Sequence, residues 1–206
     1  MLNRRFATVW RLLSSGEFIE FFLRSFRFLK NSKSKQTKIS YPEWRENHVN
    51  LSEEQRKIFN KKLVAFVSRP SFGLFLRVGD TDLNSVFSTI ESVRNQIYPD
   101  WVLYITSESK LDSDFAKKVS SLRDSRIKLE VSSSVFPEDW IAEFDSKVRF
   151  HEAALLTTAF AIAENPEVSF IYTDHDHLNP QGNFCDPYMK PDWNAELFAS
   201  TDYLSP

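Results

Sequence analysis

The most constraining feature of this chain is an alternation, between residues 51 and 173, of short apolar runs with longer segments that start and stop like helices. Leu51–Val67 opens with Ser52-Glu53-Glu54, an N-cap followed by acids, and closes in a Lys-rich stretch before Arg69-Pro70. Phe72–Val78 is a compact apolar run that suits a buried strand. Asp82–Ile97 carries Leu83, Val86, Phe87, Ile90, Val93 and Ile97 at helical spacing, and Tyr98-Pro99-Asp100 turns the chain into a second strand, Trp101–Thr106. A helix over Leu111–Leu122, strands over Arg126–Val131 and Trp140–Phe144, a helix over Phe150–Glu164 stopped by Asn165-Pro166, and a strand over Val168–Thr173 complete the series. Strands that alternate with helices predict an α/β domain with a mostly parallel sheet, built from right-handed crossovers. Ligands gather at the carboxyl ends of such strands, here just after Val78, Thr106, Val131, Phe144 and Thr173.

The first forty residues do not share this pattern. They hold nine Lys/Arg against two Asp/Glu, a net of +7, and residues 41–206 hold seventeen against twenty-six, a net of -9. Arg11, Glu17, Glu20, Arg24 and Arg27 interrupt every apolar run, so neither a secretory signal nor a membrane span develops. Phe6, Val9, Trp10, Leu13, Phe18, Phe21, Phe22, Phe26 and Leu29 fall near helical period, with Gly16 dividing them, which predicts an amphipathic helical leader. Two roles stay open for its aromatic face: peripheral membrane contact through residues 1–30, or packing on protein. Asn31–Ser40 reads as a basic linker, giving a division into a leader over 1–40 and a domain over 41–206. The single cysteine, Cys185, excludes an internal disulfide framework and suits a reducing compartment. The acidic body argues against nucleic acid as a partner.

Asp174-His175-Asp176-His177 is the sharpest polar feature. Carboxylates two apart on an extended segment point to one side and can hold a hard cation that bridges to phosphate. The interleaved histidines suit a softer metal such as zinc, and a polar loop capping backbone amides is the commoner outcome of such a tetrapeptide. Asp80-Thr81-Asp82 reads as an N-cap for the next helix. His48 and His151 lack local partners, and Cys185 reads as a buried bystander. Glycines stand only at 16, 73, 79 and 182, so no phosphate-binding or dinucleotide fingerprint exists.

Several strings, taken together, resemble one family. Tyr41-Pro42-Glu43-Trp44 precedes a charged helix ending in Arg69-Pro70. Ile90-Glu91-Ser92-Val93, Asn95-Gln96 and Tyr98-Pro99-Asp100-Trp101 are similar to "ESVLNQTYPNWEL". Asn165-Pro166, Ile171–Asp176, Gly182 and Asp186–Asn194 are similar to "NP…IYSDED…G…DPYFKPDWNPDLL". These are the patterns of bacterial family 2 glycosyltransferases of the GT-A fold, and the resemblance runs from residue 41 to 206. It implies a GT-A-like, Rossmann-like sheet flanked by helices, a nucleotide-sugar donor, Mg2+ or Mn2+, and a glycan or lipid-linked acceptor in a cell-surface polysaccharide pathway. It also implies a cytoplasmic location, peripheral on the inner membrane face.

Carried over residue by residue, the resemblance assigns Glu108, Asp145 and Lys147 to the nucleotide sugar, and Asp145, Asp174 and Asp176 to the metal. Ser107-Glu108 stand where the family has an acidic pair. Asp145 matches the first aspartate of its "DHDD", and Lys147 takes the place of the second, where it can neutralise diphosphate but cannot ligate a cation. The segment Ser132–Trp140 is too short for the family's glycine- and Asn-bearing stretch. The chain ends after Asp202-Tyr203, so the acceptor half with its catalytic base is expected to be missing, leaving the catalytic residue unknown and calling for a partner chain to supply that half. Two principal readings follow: a glycosyltransferase or its amino-terminal part, and a non-catalytic degenerate module that binds or scaffolds. A small zinc protein built on His175 and His177 is the third.

Overall fold

A computed structural model describes residues 39–79, 82–107, 112–129 and 136–204. The leader up to residue 38, Asp80-Thr81, Glu108 and the end of the third predicted strand lie outside the described residues. The chain divides into two compact units: Ser52–Ile171, and Met1–Leu51 with Tyr172–Pro206.

The Ser52–Ile171 unit is the expected α/β structure. Helix α2 (Glu53–Val64) follows α1 (Tyr41–His48) in the chain and starts in a reciprocal capping box, with Ser52 Oγ accepting from Gln55 N and Gln55 Oε1 accepting from Ser52 N. The sheet holds β1 (Phe72–Val78), β2 (Trp101–Ser107), β3 (Ile127–Leu129) and β4 (Trp140–Asp145) in the order β3-β2-β1-β4, all parallel. Helices α3 (Leu83–Arg94) and α4 (Ser113–Ser121) connect β1 to β2 and β2 to β3. Right-handed crossovers running the same way across a sheet put both on one face, and Phe87 meets Phe115 at 5.6 Å between them. Leu74, Leu76, Leu103 and Ile105 on the sheet, with Val86, Ile90 and Val93 on α3, are essentially inaccessible to solvent and form the core.

Residues 136–138, just before β4, lie on the opposite face. Phe136 packs edge-on against Phe75 at 4.5 Å and Tyr104 at 4.9 Å, and Tyr104 Oη donates to Glu138 Oε1 at 3.0 Å. Gly73 makes room for this strap, because a Cβ there would stand 3.3 Å from Glu138 Oε2. Helix α5 (Ala154–Glu164) ends at Asn165-Pro166 as expected but begins four residues later than the apolar pattern predicts. Its approach is held in another shape: Phe150 N donates to Ser92 Oγ, and His151 O accepts from Gln96 Nε2 at 2.7 Å.

In the other unit, α1 (Tyr41–His48) accompanies an antiparallel pair, β5 (His175–Leu178) and β6 (Phe184–Tyr188), and a short α6 (Ala195–Ser200). The strand predicted over Val168–Thr173 does not form; pairing begins at His175 instead. β-rich composition reflects a fit to a pleated, half-buried surface, and among the described residues no strand offers this segment a ladder. His175 faces Tyr188 and His177 faces Cys185, so Asp176 opposes two residues, Asp186 and Pro187. This bulge suits Pro187, which has no N–H to donate, and Asp186, whose φ is 48°.

Candidate functional site

Strand order places the ligand-binding crevice of the sheet. Chain connections leave β1 toward β2 and β3, then return to the far side of β1 as β4, so the topological switch point lies between the carboxyl ends of β1 and β4. Arg77 pairs in register with Asp145 there, and Val78 with Ser107 on the other flank. Two of the residues expected to hold a nucleotide sugar, Asp145 and Lys147, stand at this point. The third, Glu108, lies outside the described residues, immediately after Ser107.

The loop after β4 is held firmly from beneath. Asp145 Oδ1 accepts from Lys147 N at 2.7 Å, an Asx turn that sends the Lys147 side chain outward into solvent. Ser146 is 1% exposed, and its carbonyl accepts from Thr89 Oγ1 at 2.8 Å and from Arg149 Nη1 at 3.2 Å. Arg149 Nη1 also reaches Val148 O at 3.0 Å and Thr89 Oγ1 at 2.5 Å. Burial lowers the Arg149 pKa from its ordinary value, yet a guanidinium stays charged at neutral pH. Thr89 is fully buried on α3, so the loop is tied to the core rather than to other surface groups.

Helix α3 continues this role toward its end. Gln96, 8% exposed, donates to Ser92 O at 3.0 Å and His151 O at 2.7 Å, and its Oε1 accepts from Leu155 N at 3.0 Å. Helix α5 has Ala153 at its N-cap and no side-chain cap of its own. Gln96 therefore satisfies, across 59 positions of sequence, an amide that an N-cap side chain would ordinarily take. Tyr98 is fully buried, its hydroxyl donates to Pro70 O at 2.7 Å, and burial pushes its pKa up to about 12. Asp100 pairs with Arg69, and Trp101 lies under the Arg126 guanidinium at 3.8 Å. The string Asn95–Trp101 thus works as a structural clamp and contributes no reacting group.

Asp174 and Asp176 belong to the second unit. Asp174 Oδ1 accepts from Lys190 N at 2.7 Å. Asp176 Oδ2 accepts from Tyr41 Oη at 2.7 Å and from Arg45 Nε at 2.9 Å, with side-chain exposures of 23% for Asp176 and 14% for Arg45. The Arg45 guanidinium stacks over Phe184 at 3.3 Å. Burial and the neighbouring Asp176 push the Tyr41 pKa up to about 12. The amide-capping reading of Asp174–His177 thus describes Asp174, whereas Asp176 accepts from two side chains, Tyr41 and Arg45, that sequence alone did not mark. Their one signal is i, i+4 spacing on a short helix.

The His175 and His177 rings meet edge to face at 5.3 Å, and His175 Nδ1 is buried with no hydrogen-bond partner. Burial, then Lys190 and His177, hold His175 below the ordinary histidine pKa. Cys185 is half-buried rather than buried, and a hydrogen bond to Asp186 raises its thiol pKa. His48 is exposed, with Nδ1 2.7 Å from Trp44 O, and His151 Nδ1 accepts from Ala153 N at 3.3 Å. Asp82 is the N-cap of α3 as expected, its Oδ2 accepting from Ser85 N.

Among the described residues, no group of three or more His, Cys, Asp or Glu side chains is placed to hold a metal ion. At the switch point Asp145 has one oxygen turned back onto its own loop, and a cation, Lys147, stands where a second ligand would be. These residues do not fit a divalent-cation cage. A groove of about 860 Å3 runs along α3, lined among others by Arg56, Asn84, Glu91, Asn95 and Glu152. Its cation, Arg56, is already paired with Glu152, so it offers no free charge to a phosphate.

No family model matches the chain. It is 27% identical over 180 residues to the O-antigen biosynthesis protein RfbC of Myxococcus xanthus, across 80% of this chain and 14% of that protein. It is also 27% identical over 170 residues to the uncharacterized protein y4gI of Sinorhizobium fredii (strain NBRC 101917 / NGR234), across 75% of this chain and 18% of that protein. The chain therefore spans less than a fifth of the length of either relative. Within the described residues no helix is long and apolar enough to cross a membrane.

Proposed function

We propose that the chain is a nucleotide-sugar-binding, glycosyltransferase-like unit of glycan biosynthesis. The observation that carries this reading is the Asp145-Ser146-Lys147 turn at the switch point of a parallel sheet, pinned from below by Thr89 and Arg149. The crevice at that point is where α/β sheets bind nucleotides, and a pinned loop presents a charge at low entropic cost. The distant likeness to an O-antigen biosynthesis protein supports a role in surface-glycan assembly. The family 2 motifs point to the donor as a nucleotide sugar and to the acceptor as a glycan or lipid-linked sugar. In the reaction the bond between the anomeric carbon and the donor's β-phosphate oxygen breaks. A new bond forms from that carbon to an acceptor oxygen, the acceptor proton passes to a base, and a nucleoside diphosphate leaves. The base is assigned to no residue here. Contact of residues 1–30 with the inner membrane face would bring the unit to lipid-linked acceptors.

A second reading, a non-catalytic binding or scaffold module, is favoured by one observation: Asp176 is engaged by Tyr41 and Arg45. Thermal denaturation in the presence of uridine, guanosine and thymidine diphosphate sugars tests whether the fold retains a donor site, which the glycosyltransferase reading requires. Ligand at about 100 times its Kd stabilises by about 2.7 kcal/mol and raises Tm by several degrees. No rise with any donor, with or without Mn2+, would remove the glycosyltransferase reading.

A further inference from the structure

We infer that the switch-point crevice neutralises the donor diphosphate with the Lys147 ammonium in place of a divalent cation, so that nucleotide binding persists without metal. This rests on the nucleotide-sugar reading and deepens it.

Three observations on the same loop carry the inference. Lys147 is exposed, and among the described residues its ammonium makes no hydrogen bond or ion pair, so the charge is free to meet a ligand. Its neighbours on both sides have their carbonyls held by Thr89 and Arg149, which fixes the direction in which the Lys147 stem leaves the loop. The donor set is also wrong for a hard cation. Such an ion wants several oxygen ligands, shared between carboxylates and substrate phosphates. Among the described residues of this loop a single aspartate with one committed oxygen stands two residues from a lysine, whose charge would repel the ion. A second cation lies next to the loop: Arg77, the register partner of Asp145, is bound among the described residues only to Glu143 at 3.2 Å in an exposed pair. Exposed pairs of this kind are weak and exchange readily for a more highly charged partner. One ammonium and one guanidinium together can balance most of the charge of a diphosphate.

Isothermal titration of the full chain with uridine, guanosine and thymidine diphosphates, in EDTA and then in Mn2+, tests the inference. At least one nucleotide is expected to bind with affinities within about threefold in the two conditions. Charge-assisted contacts contribute about 1.5–3 kcal/mol, so Lys147→Ala should weaken binding by about tenfold to hundredfold in EDTA. Lys147→Arg should retain binding. The exposed position leaves folding intact, which a thermal melt of each variant checks. Binding that requires Mn2+, or is unchanged in Lys147→Ala, overturns the inference and leaves the nucleotide-sugar reading in place. Binding of no nucleotide in either condition overturns both.

Discussion

Gln96 is the side chain whose removal should cost the Ser52–Ile171 unit most for its size. It holds three backbone groups: the carbonyls of Ser92 and His151 and the amide of Leu155, the last being 5% exposed. In Gln96→Ala, Ser92 O stays at the end of α3, where water can reach it. Leu155 N loses its partner in a buried setting, while His151 O keeps the amide of Ala154 at 2.9 Å. An orphaned buried group costs about 1–3 kcal/mol, and this one is an N-terminal helix amide that no local cap replaces. The expected loss is therefore about 1–3 kcal/mol, a sizeable part of the stability of an ordinary domain. Urea denaturation followed by tryptophan fluorescence measures it, with an unchanged m-value confirming that the folded state is the one affected. Gln96→Glu should fall between the two, since it keeps an acceptor for Leu155 N and loses the donor to His151 O. A loss in Gln96→Ala below about 0.5 kcal/mol, the range of ordinary surface changes, would refute the assignment of Gln96 as the cap of α5.

Two further predictions concern charge. Asp176→Ala removes the acceptor shared by Tyr41 Oη and Arg45 Nε and leaves Arg45 largely shielded from water. Hydrogen exchange should show β5 and β6 opening more readily by about 1–3 kcal/mol, with a free tyrosine pKa falling back from about 12 toward 10; protection that does not change would count against the pair. Asp124 is held below its ordinary pKa by Arg126, and Asp139 by the Ser71 amide and hydroxyl. Because the folded state lowers these pKa values, their stabilisation is present above the unfolded value near 4 and is lost as pH falls below it through the folded values. Acid denaturation should therefore be shallower in Asp124→Asn/Asp139→Asn than in the parent, and identical acid limbs would contradict the assignment.

Most of the strands and helices that periodicity and capping mark are found where they are expected. Phe72–Val78 matches residue for residue, and Ser52 caps α2 as its position predicts. The failures have a common cause, which is that the deciding partner lies outside the segment itself. Val168–Thr173 has the residues of a strand but no ladder beside it among the described residues. His175–Leu178 is polar, and it pairs because Phe184–Tyr188 folds back on it. Helix α5 starts late because Gln96 and Ser92 hold the preceding turn.

The candidate site divides along the same line. Asp145 and Lys147 could be placed from spacing and from the family's motifs, since both sit in one turn after one strand. The partners of Asp176 lie 131 and 135 residues away and leave no local mark. Thr89 and Arg149, which hold the loop, look like an ordinary helix residue and an ordinary surface arginine until the chain is folded. Conversely, the contacts of Asn95–Trp101, a string that carries part of the resemblance, serve stability.

The most direct test is to map where a nucleoside diphosphate sugar touches the chain. Backbone amide shifts in the 15N-labelled protein, titrated with the donor that gives the largest thermal shift, should change most at residues 77–79 and 145–149, and little along the groove lined by Arg56, Asn84 and Glu152. Perturbations centred on that groove, or none anywhere, would contradict a donor site at the switch point.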